Sequence, residues 1–364
     1  MRLGVKSALV DGRLIPGDVR VADGVVTDIG IVNGSRGRGI AAPGFVDLQV
    51  NGFAGVDLMT ADADGYARAG EAMLSAGTTA FQPTFVTAAE DVLLAALAAM
   101  PVDGVGPRVL GAHLEGPFLS PRRMGAHEAA GRRAPDLALL RRLLDAGPVR
   151  QVTLAPELPG ALNLIDELRA RGITISAGHT DATAAEAHLA FDRGITTVTH
   201  LYNAMRPSTP RDPSIAVAAL ARPDVTVQVI VDGHHLAADT VSVAWQAAAG
   251  RFALVTDAVA AAGMADGEFL LGSQPVKAVG GVVRGPDGQL AGSALTMIDA
   301  VRNLHAIGVP LTEALEAASL VPARVARRYD LGRLVVGAPA DIVVIDDRLE
   351  LERVLVAGGE RVAG

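Results

Sequence analysis

The chain has 364 residues, half of them apolar and 20% charged, which is enough to bury a large core and too hydrophobic for a disordered or collagen-like class. Its 32 Lys and Arg against 40 Asp and Glu give a net charge of −8, which argues against nucleic acid, a partner that basic side chains must neutralise. No cysteine is present, so disulfides, thiol nucleophiles, iron–sulfur clusters and Cys-ligated zinc are excluded; any metal must be held by His, carboxylate or amide.

The first segment, MRLGVKSALVDG, has too short an apolar run for a secretory signal. Residues 1 to 42 carry short alternating runs with turns at Asp11-Gly12 and Asp23-Gly24, which read as hairpins. From Phe45 onward, short β-rich runs alternate with Ala/Leu-rich segments of helical spacing. The runs are 45–50, 79–85, 108–115, 151–157, 173–179, 195–200, 225–232 and 252–257. Between the fourth and fifth lies ALNLIDELRARG, where Leu162, Ile165 and Leu168 share a helical face and Gly172 sits where a helix-ending glycine is expected. The longest uncharged stretch, 72–89, is broken by Gly77, Gln82, Pro83 and four threonines, so it does not read as a membrane span. The expectation is a soluble, cytoplasmic protein with neither membrane nor nucleic-acid partners.

Strand, helix, strand, repeated eight times, predicts an α/β fold, a (β/α)8 TIM-type barrel over residues 43–331. A hairpin-like insert is expected near 266–292. The tail from 332 to 364 returns to short strands with turn signals, and its edges need covering. It is expected to pair with residues 1–42 as one small β-sandwich domain formed by both termini.

Four titratable residues close barrel runs: Glu115 the third, His179 the fifth, His200 the sixth and Asp257 the eighth. All four therefore reach the C-terminal rim, where sites of this fold are built. Two His and one Glu form a three-ligand set that leaves coordination positions open, as in a catalytic zinc-like site, and Asp257 is left free to move protons. A histidine at a strand end is more often structural, but four such groups buried unpaired on one rim would cost several kcal/mol each. Competing chemistries lack their motifs, with no G-x-S-x-G, no phosphate-loop and no G-x-G-x-x-G pattern.

The segments PGFVDLQVNG (43–52), HLEGPF (113–118), TLAPE (153–157), GHT (178–180), THLYNAM (199–205), DGHH (232–235), LVTDA (254–258) and LAGSALTM (290–297) resemble, in order, those of the N-acetylglucosamine-6-phosphate deacetylase family of the amidohydrolase superfamily. The closing GRLVVGAPAD also resembles superfamily members. The resemblance implies that Glu115, His179 and His200 bind one divalent ion, zinc first and Fe2+, Co2+ or Mn2+ otherwise, and that Asp257 is the catalytic acid/base. It implies that Ala126 and His127 contact the acetamide carbonyl. Asn203, Ala204, Arg211 and the stretch Asp232, Gly233, His234 and His235 would contact the sugar phosphate, with Leu290, Ala291, Gly292 and Ser293 as a substrate-lining loop. It further implies a homodimer in which some phosphate contacts come from a second subunit.

Where the wider superfamily has an H-x-H pair for a second metal, this chain has Gln49 and Asn51. Neutral amides are weak ligands for divalent transition ions, so these are vestigial second-metal positions and a single ion is expected. The implied reaction is hydrolysis of N-acetylglucosamine 6-phosphate to glucosamine 6-phosphate and acetate. The galactosamine epimer and a catalytically silent sugar-phosphate binder are the alternatives, the latter disfavoured by the intact ligand set. Arg211, in RPSTPRDPS, reads by itself as a solvated loop residue. His188 and His305 read as structural, His113 as a supporting partner to a ligand, and the Arg-rich loop 122–133 as either solvated or a steering element.

Overall fold

In the computed structural model, which describes residues 1–32, 37–101 and 106–363, the eight runs become the strands of one parallel barrel. They are Phe45–Val50, Thr78–Val86, Ala112–Glu115, Val149–Leu154, Thr174–Ala177, Thr197–Val198, Thr226–Val229 and Phe252–Leu254. Each pairs in parallel with the next in sequence. The ring closes through a parallel bridge between Val50 and Ala258. Beside it the Thr256 hydroxyl and backbone N–H donate to the Asp47 carboxylate at 2.6 and 3.2 Å, tying the eighth strand to the first.

Strands covered on both faces should be nearly continuous in apolar residues, and every residue of the first two barrel strands is buried. The third run is interrupted: Arg108–Val109 pairs lower on the second strand, and Ala112–Glu115 continues above it. Between them Gly111 has φ +102, and a Cβ there would lie 2.5 Å from the Pro148 carbonyl oxygen, so only glycine fits.

The helix Ala161–Ala170 buries Leu164, Ile165 and Leu168. Leu162, expected on that face, is only partly buried, because the apolar stripe is centred one residue further round. Gly172 does follow the helix end at φ +71. The next helix, Ala184–Arg193, starts in a capping box: Thr183 accepts from the Glu186 N–H, and the Glu186 carboxylate accepts from the Thr183 N–H. That box fixes the entry of the helix following His179.

The two chain ends combine as the edge argument requires. A six-stranded mixed sheet runs in the order Arg13–Pro16, Ser7–Val10, Ile40–Pro43, Ile342–Ile345, Leu351–Val356, Gly359–Ala363. The hairpin Asp18–Ala22/Val25–Ile31 packs on it over a second core that includes Val5, Ala8, Val19, Val26, Ile342, Val344 and Leu355. Both Asp-Gly turns have positive φ at each central residue, 44° and 74° at Asp11-Gly12 and 50° and 79° at Asp23-Gly24, the type I′ geometry that suits right-handed strand twist.

The insert differs from a single hairpin. It is a three-stranded antiparallel meander, Gly267–Leu271, Gln274–Val279 and Val282–Arg284. The third strand arises because Gly280 and Gly281, at φ 60° and 80°, make a second tight turn. Among the described residues no helix is long and apolar enough to cross a membrane.

Candidate active site

Four residues at the C-terminal rim come together as their strand-end positions predict, but three of them stand beyond the ladder. The fifth, sixth and eighth strands end at Ala177, Val198 and Leu254, and His179, His200 and Asp257 follow with φ of 48°, 30° and 50°. A non-glycine residue in that region is uncommon and its cost is borne where a side chain must be aimed. Here the turned backbone points all three side chains over the barrel mouth. Glu115 reaches the same point from the end of its own strand.

Glu115, His179 and His200 are buried, and their ligand atoms lie within 4.8 Å of one another. Glu115 Oε1 is 3.2 Å from His179 Nε2 and 2.9 Å from His200 Nε2, and the two Nε2 atoms are 3.1 Å apart. The Nδ1–H of His179 donates to the Arg123 carbonyl at 2.8 Å. A carbonyl can only accept, so Nε2 is left with its lone pair turned inward, the tautomer a metal requires. Burial holds His179 neutral, its pKa pushed down to about 4. Burial alone would raise Glu115, yet the facing imidazole nitrogens of His127, His179 and His200 hold it well below the usual carboxylate range. A buried carboxylate facing two imidazole nitrogens needs a positive charge at their common point, and a divalent ion of borderline softness fits that donor set.

Asp257 stands beside this trio. Desolvation, followed by the Glu115 charge, raises its pKa to about 6, against the lowering effects of His200, His235 and a hydrogen bond from Asn51. That bond, Asn51 Nδ2 to Asp257 Oδ1 at 2.7 Å, gives Asn51 a function that its pattern did not reveal. It donates to the Asp257 carboxylate, a contact beyond the second-metal position expected from the sequence. Ser293 supports the same residue from behind: its backbone N–H donates to the Asp257 carbonyl at 2.8 Å and its hydroxyl to the Thr256 carbonyl at 2.6 Å. Gln49 is fully buried and does not face the cavity.

On the opposite side, His127 Nδ1 accepts from the Thr87 backbone N–H at 3.2 Å. The ring proton is therefore on Nε2, which lies 3.6 Å from Glu115 Oε2. His127 thus presents an N–H donor to the space in front of the ligand trio.

A cavity of about 250 Å³ opens over these groups. Besides the ligands it is lined by Asn51, Ala126, His127, Asn203, Ala204, His235, Asp257, Leu290 and Gly292, all singled out from the sequence, and by Val86, Gly125, Ile230 and Leu271, which were not. Leu271 comes from the insert, and no local pattern marks an insert residue as reaching the barrel mouth. Asp232 and Gly233 are not at the cavity surface. Asp232 instead holds His235: it accepts from His235 Nδ1 at 2.7 Å and from the N–H groups of His234 and His235 at 2.8 Å each. The His234 side chain is exposed, whereas Ala291 and Ser293 are buried beneath the cavity.

Arg211 is exposed, does not line the cavity of its own chain and forms no ion pair among the described residues. In the Arg-rich loop, Arg122 and Arg123 both pair with Asp181, at 3.1 and 2.7 Å, so their charge is partly spent. His113 does not touch the ligands. It bonds the Leu48 carbonyl at 3.2 Å and Thr153 at 2.7 Å inside the barrel, because alternation places it one layer below Glu115. His305 donates to the Val309 carbonyl at 2.8 Å and His188 packs edge-on to Phe191, both structural.

The amidohydrolase family model matches residues 40–360. The chain is 35% identical to the N-acetylgalactosamine-6-phosphate deacetylase of Escherichia coli O157:H7, over 96% of this chain and 95% of that one. It is 40% identical to the human N-acetylglucosamine-6-phosphate deacetylase, over 88% and 83%. Among solved structures, a variant of N-acetyl-D-glucosamine-6-phosphate deacetylase from Mycobacterium smegmatis, in complex with N-acetyl-D-glucosamine-6-phosphate, superposes with a TM-score of 0.94 at 36% identity, covering 100% of this chain and 99% of that one. With its barrel, its terminal β-domain and its Glu-His-His rim, the chain belongs to the amidohydrolase family, in the branch that contains the N-acetylglucosamine-6-phosphate deacetylases.

Proposed function

We infer that the protein is a metal-dependent deacetylase that hydrolyses N-acetylglucosamine 6-phosphate to glucosamine 6-phosphate and acetate. The observation that carries this is the buried Glu115, His179 and His200 set with Asp257 held beside it by Asn51. Glu115, His179 and His200 would hold one divalent ion, with zinc favoured by a His2Glu set and Fe2+, Co2+ or Mn2+ compatible with it. When bound, the ion supplies Lewis acidity, easing loss of a proton from water and drawing charge from the amide carbonyl.

The chain's own residues then do the following. Asp257, ionised, takes a proton from the attacking water and returns it to the nitrogen as the C–N bond breaks. His127 donates its Nε2–H to the carbonyl oxygen as that oxygen gains charge. Asn203, Ala204 and His235, the last fixed by Asp232, are assigned to the sugar phosphate, and Ala126, Leu290 and Gly292 to the remaining wall, with Ala291 and Ser293 supporting it from beneath. An anionic substrate in a chain of net charge −8 needs local cations. Arg211, exposed and outside its own cavity, fits a role across a homodimer interface, completing the phosphate site of a second subunit. We assign residues 43–331 to the catalytic barrel and 1–42 with 332–364 to the terminal domain, and place the enzyme's work in the cytoplasm.

The similarity to the E. coli galactosamine enzyme over nearly the whole chain keeps the epimer as a second reading. Elemental analysis after exhaustive dialysis should return about one equivalent of metal, dropping sharply in His179→Ala and in His200→Ala. Acetate release compared between the two epimeric phosphates decides the substrate. Two dialysis-resistant equivalents would refute the single-ion assignment, and a metal-loaded protein releasing no acetate from either sugar would refute the activity.

A further inference from the structure

A second cavity, of about 310 Å³, lies directly behind the first. Val86, Ala126, His127 and Leu271 line both, so a partition one side chain thick separates them. The far side is built chiefly from Met59, Val92, Ala88 and Ala89, with Thr60, Thr87 and Gln274 beside them, and its one carboxylate, Glu128, is engaged by the Ser273 hydroxyl at 2.6 Å. That surface suits alkyl groups.

The partition is held in place. Leu271 ends the first strand of the insert, and the turn after it is fastened twice: by Ser273 to Glu128, and by the Gly272 N–H to the Asp57 carboxylate at 2.6 Å. Gly272, at φ +58, sits close enough that a Cβ would be 3.3 Å from Val86 Cγ2. Leu271 is therefore a fixed wall, not a swinging lid.

The side of the site that this wall closes follows from polarity. An amide carries its two substituents at opposite ends. With the carbonyl between His127 Nε2 and the ligand trio, the polar sugar phosphate belongs on the side of Asn203 and His235. The acyl chain then points the other way, toward Val86, Ala126 and Leu271.

We propose that the Val86, Ala126 and Leu271 partition limits the reaction to the acetyl group, and that the cavity behind it is a latent subsite for longer N-acyl chains. Opened, it takes the propionyl and butyryl amides of the same amino-sugar phosphate. The chemistry is unchanged: water adds across the amide C–N bond, giving the longer carboxylic acid and the same amine. The inference rests on the deacetylase reading above.

The test is release of glucosamine 6-phosphate by the metal-loaded enzyme from its N-acetyl, N-propionyl and N-butyryl forms. One methylene against a hydrophobic wall is worth roughly 10- to 200-fold in kcat/KM, so the parent should disfavour butyryl over acetyl by at least about 100-fold. Leu271→Ala and Val86→Ala should each raise the butyryl-to-acetyl ratio at least about tenfold. Leu270→Ala, which trims an exposed neighbour on the same strand, should leave that ratio where it was. A parent indifferent to chain length would overturn the inference. So would wall variants that hydrolyse the acetyl form with the parent's ratio, or Leu270→Ala shifting the ratio as far as Leu271→Ala does. A metal-loaded parent inactive on the acetyl form would bring down the deacetylase reading first, and this inference with it.

Discussion

Replacing Asn51 with alanine removes one hydrogen bond, the 2.7 Å contact to Asp257 Oδ1, and its effect follows from what that bond does. A hydrogen bond to a charged group contributes about 1.5–3 kcal/mol, and each pKa unit corresponds to about 1.4 kcal/mol. The bond favours ionised Asp257, so its loss raises a pKa already lifted to about 6 by burial, by roughly one to two units. A base must be ionised to act, so the acid limb of kcat/KM moves to higher pH by that amount. On the acid side of the limb the ionised fraction falls by roughly 10- to 100-fold, a loss from ionisation alone. Near pH 9 that part is recovered, and any remaining deficit measures misorientation of the carboxylate. A bound cation lowers the limb in parent and variant together, so the displacement between their pH profiles is the quantity to read. Full profiles for metal-loaded parent and Asn51→Ala provide it. A variant whose acid limb coincides with the parent's, with activity lost equally at every pH, would refute the argument that Asn51 tunes Asp257.

Asp257→Asn should retain metal and substrate binding while losing well over about 100-fold in kcat, because an amide cannot take the proton from water; turnover within tenfold of the parent would remove Asp257 from its role. Arg211→Ala should lower kcat/KM for the phosphorylated sugar about 10- to 150-fold and barely change that for unphosphorylated N-acetylglucosamine, with Arg211→Lys recovering only part; equal losses on both sugars would make Arg211 a loop support. Asp47, buried where the barrel closes, has its pKa raised to about 7 chiefly by desolvation. The native state keeps that proton up to about pH 7 while the unfolded chain releases it near pH 4, so the parent loses stability as pH rises through that window and carries a fixed penalty above it. Asp47→Asn escapes the penalty, so its Tm relative to the parent should be higher at pH 8 than at pH 5; a pH-independent difference would contradict the buried-acid account.

The barrel and the ligand trio were legible in the sequence because both depend on local period. Alternating β runs and amphipathic helices set the order of elements, and a titratable residue at the end of a parallel run can only reach one rim. Glu115, His179 and His200 needed no contact information beyond that. The Asp-Gly turns were likewise readable, since their φ values are a property of two adjacent residues. Other features depend on side chains distant in sequence, and only tertiary structure decided them. Asn51 and Asp257 are 206 residues apart, and nothing near Asn51 states that its amide will meet a carboxylate and not a metal. The tautomers of His127 and His179 rest on a backbone N–H at Thr87 and a carbonyl at Arg123, backbone groups that carry no sequence signal. Leu271 reads as one more apolar residue on an inserted strand, and becomes part of the cavity wall only when Asp57 and Glu128 fasten the adjoining turn to the barrel. Periodicity encodes which face of its own element a residue occupies; what that face meets is set by the closure of the ring.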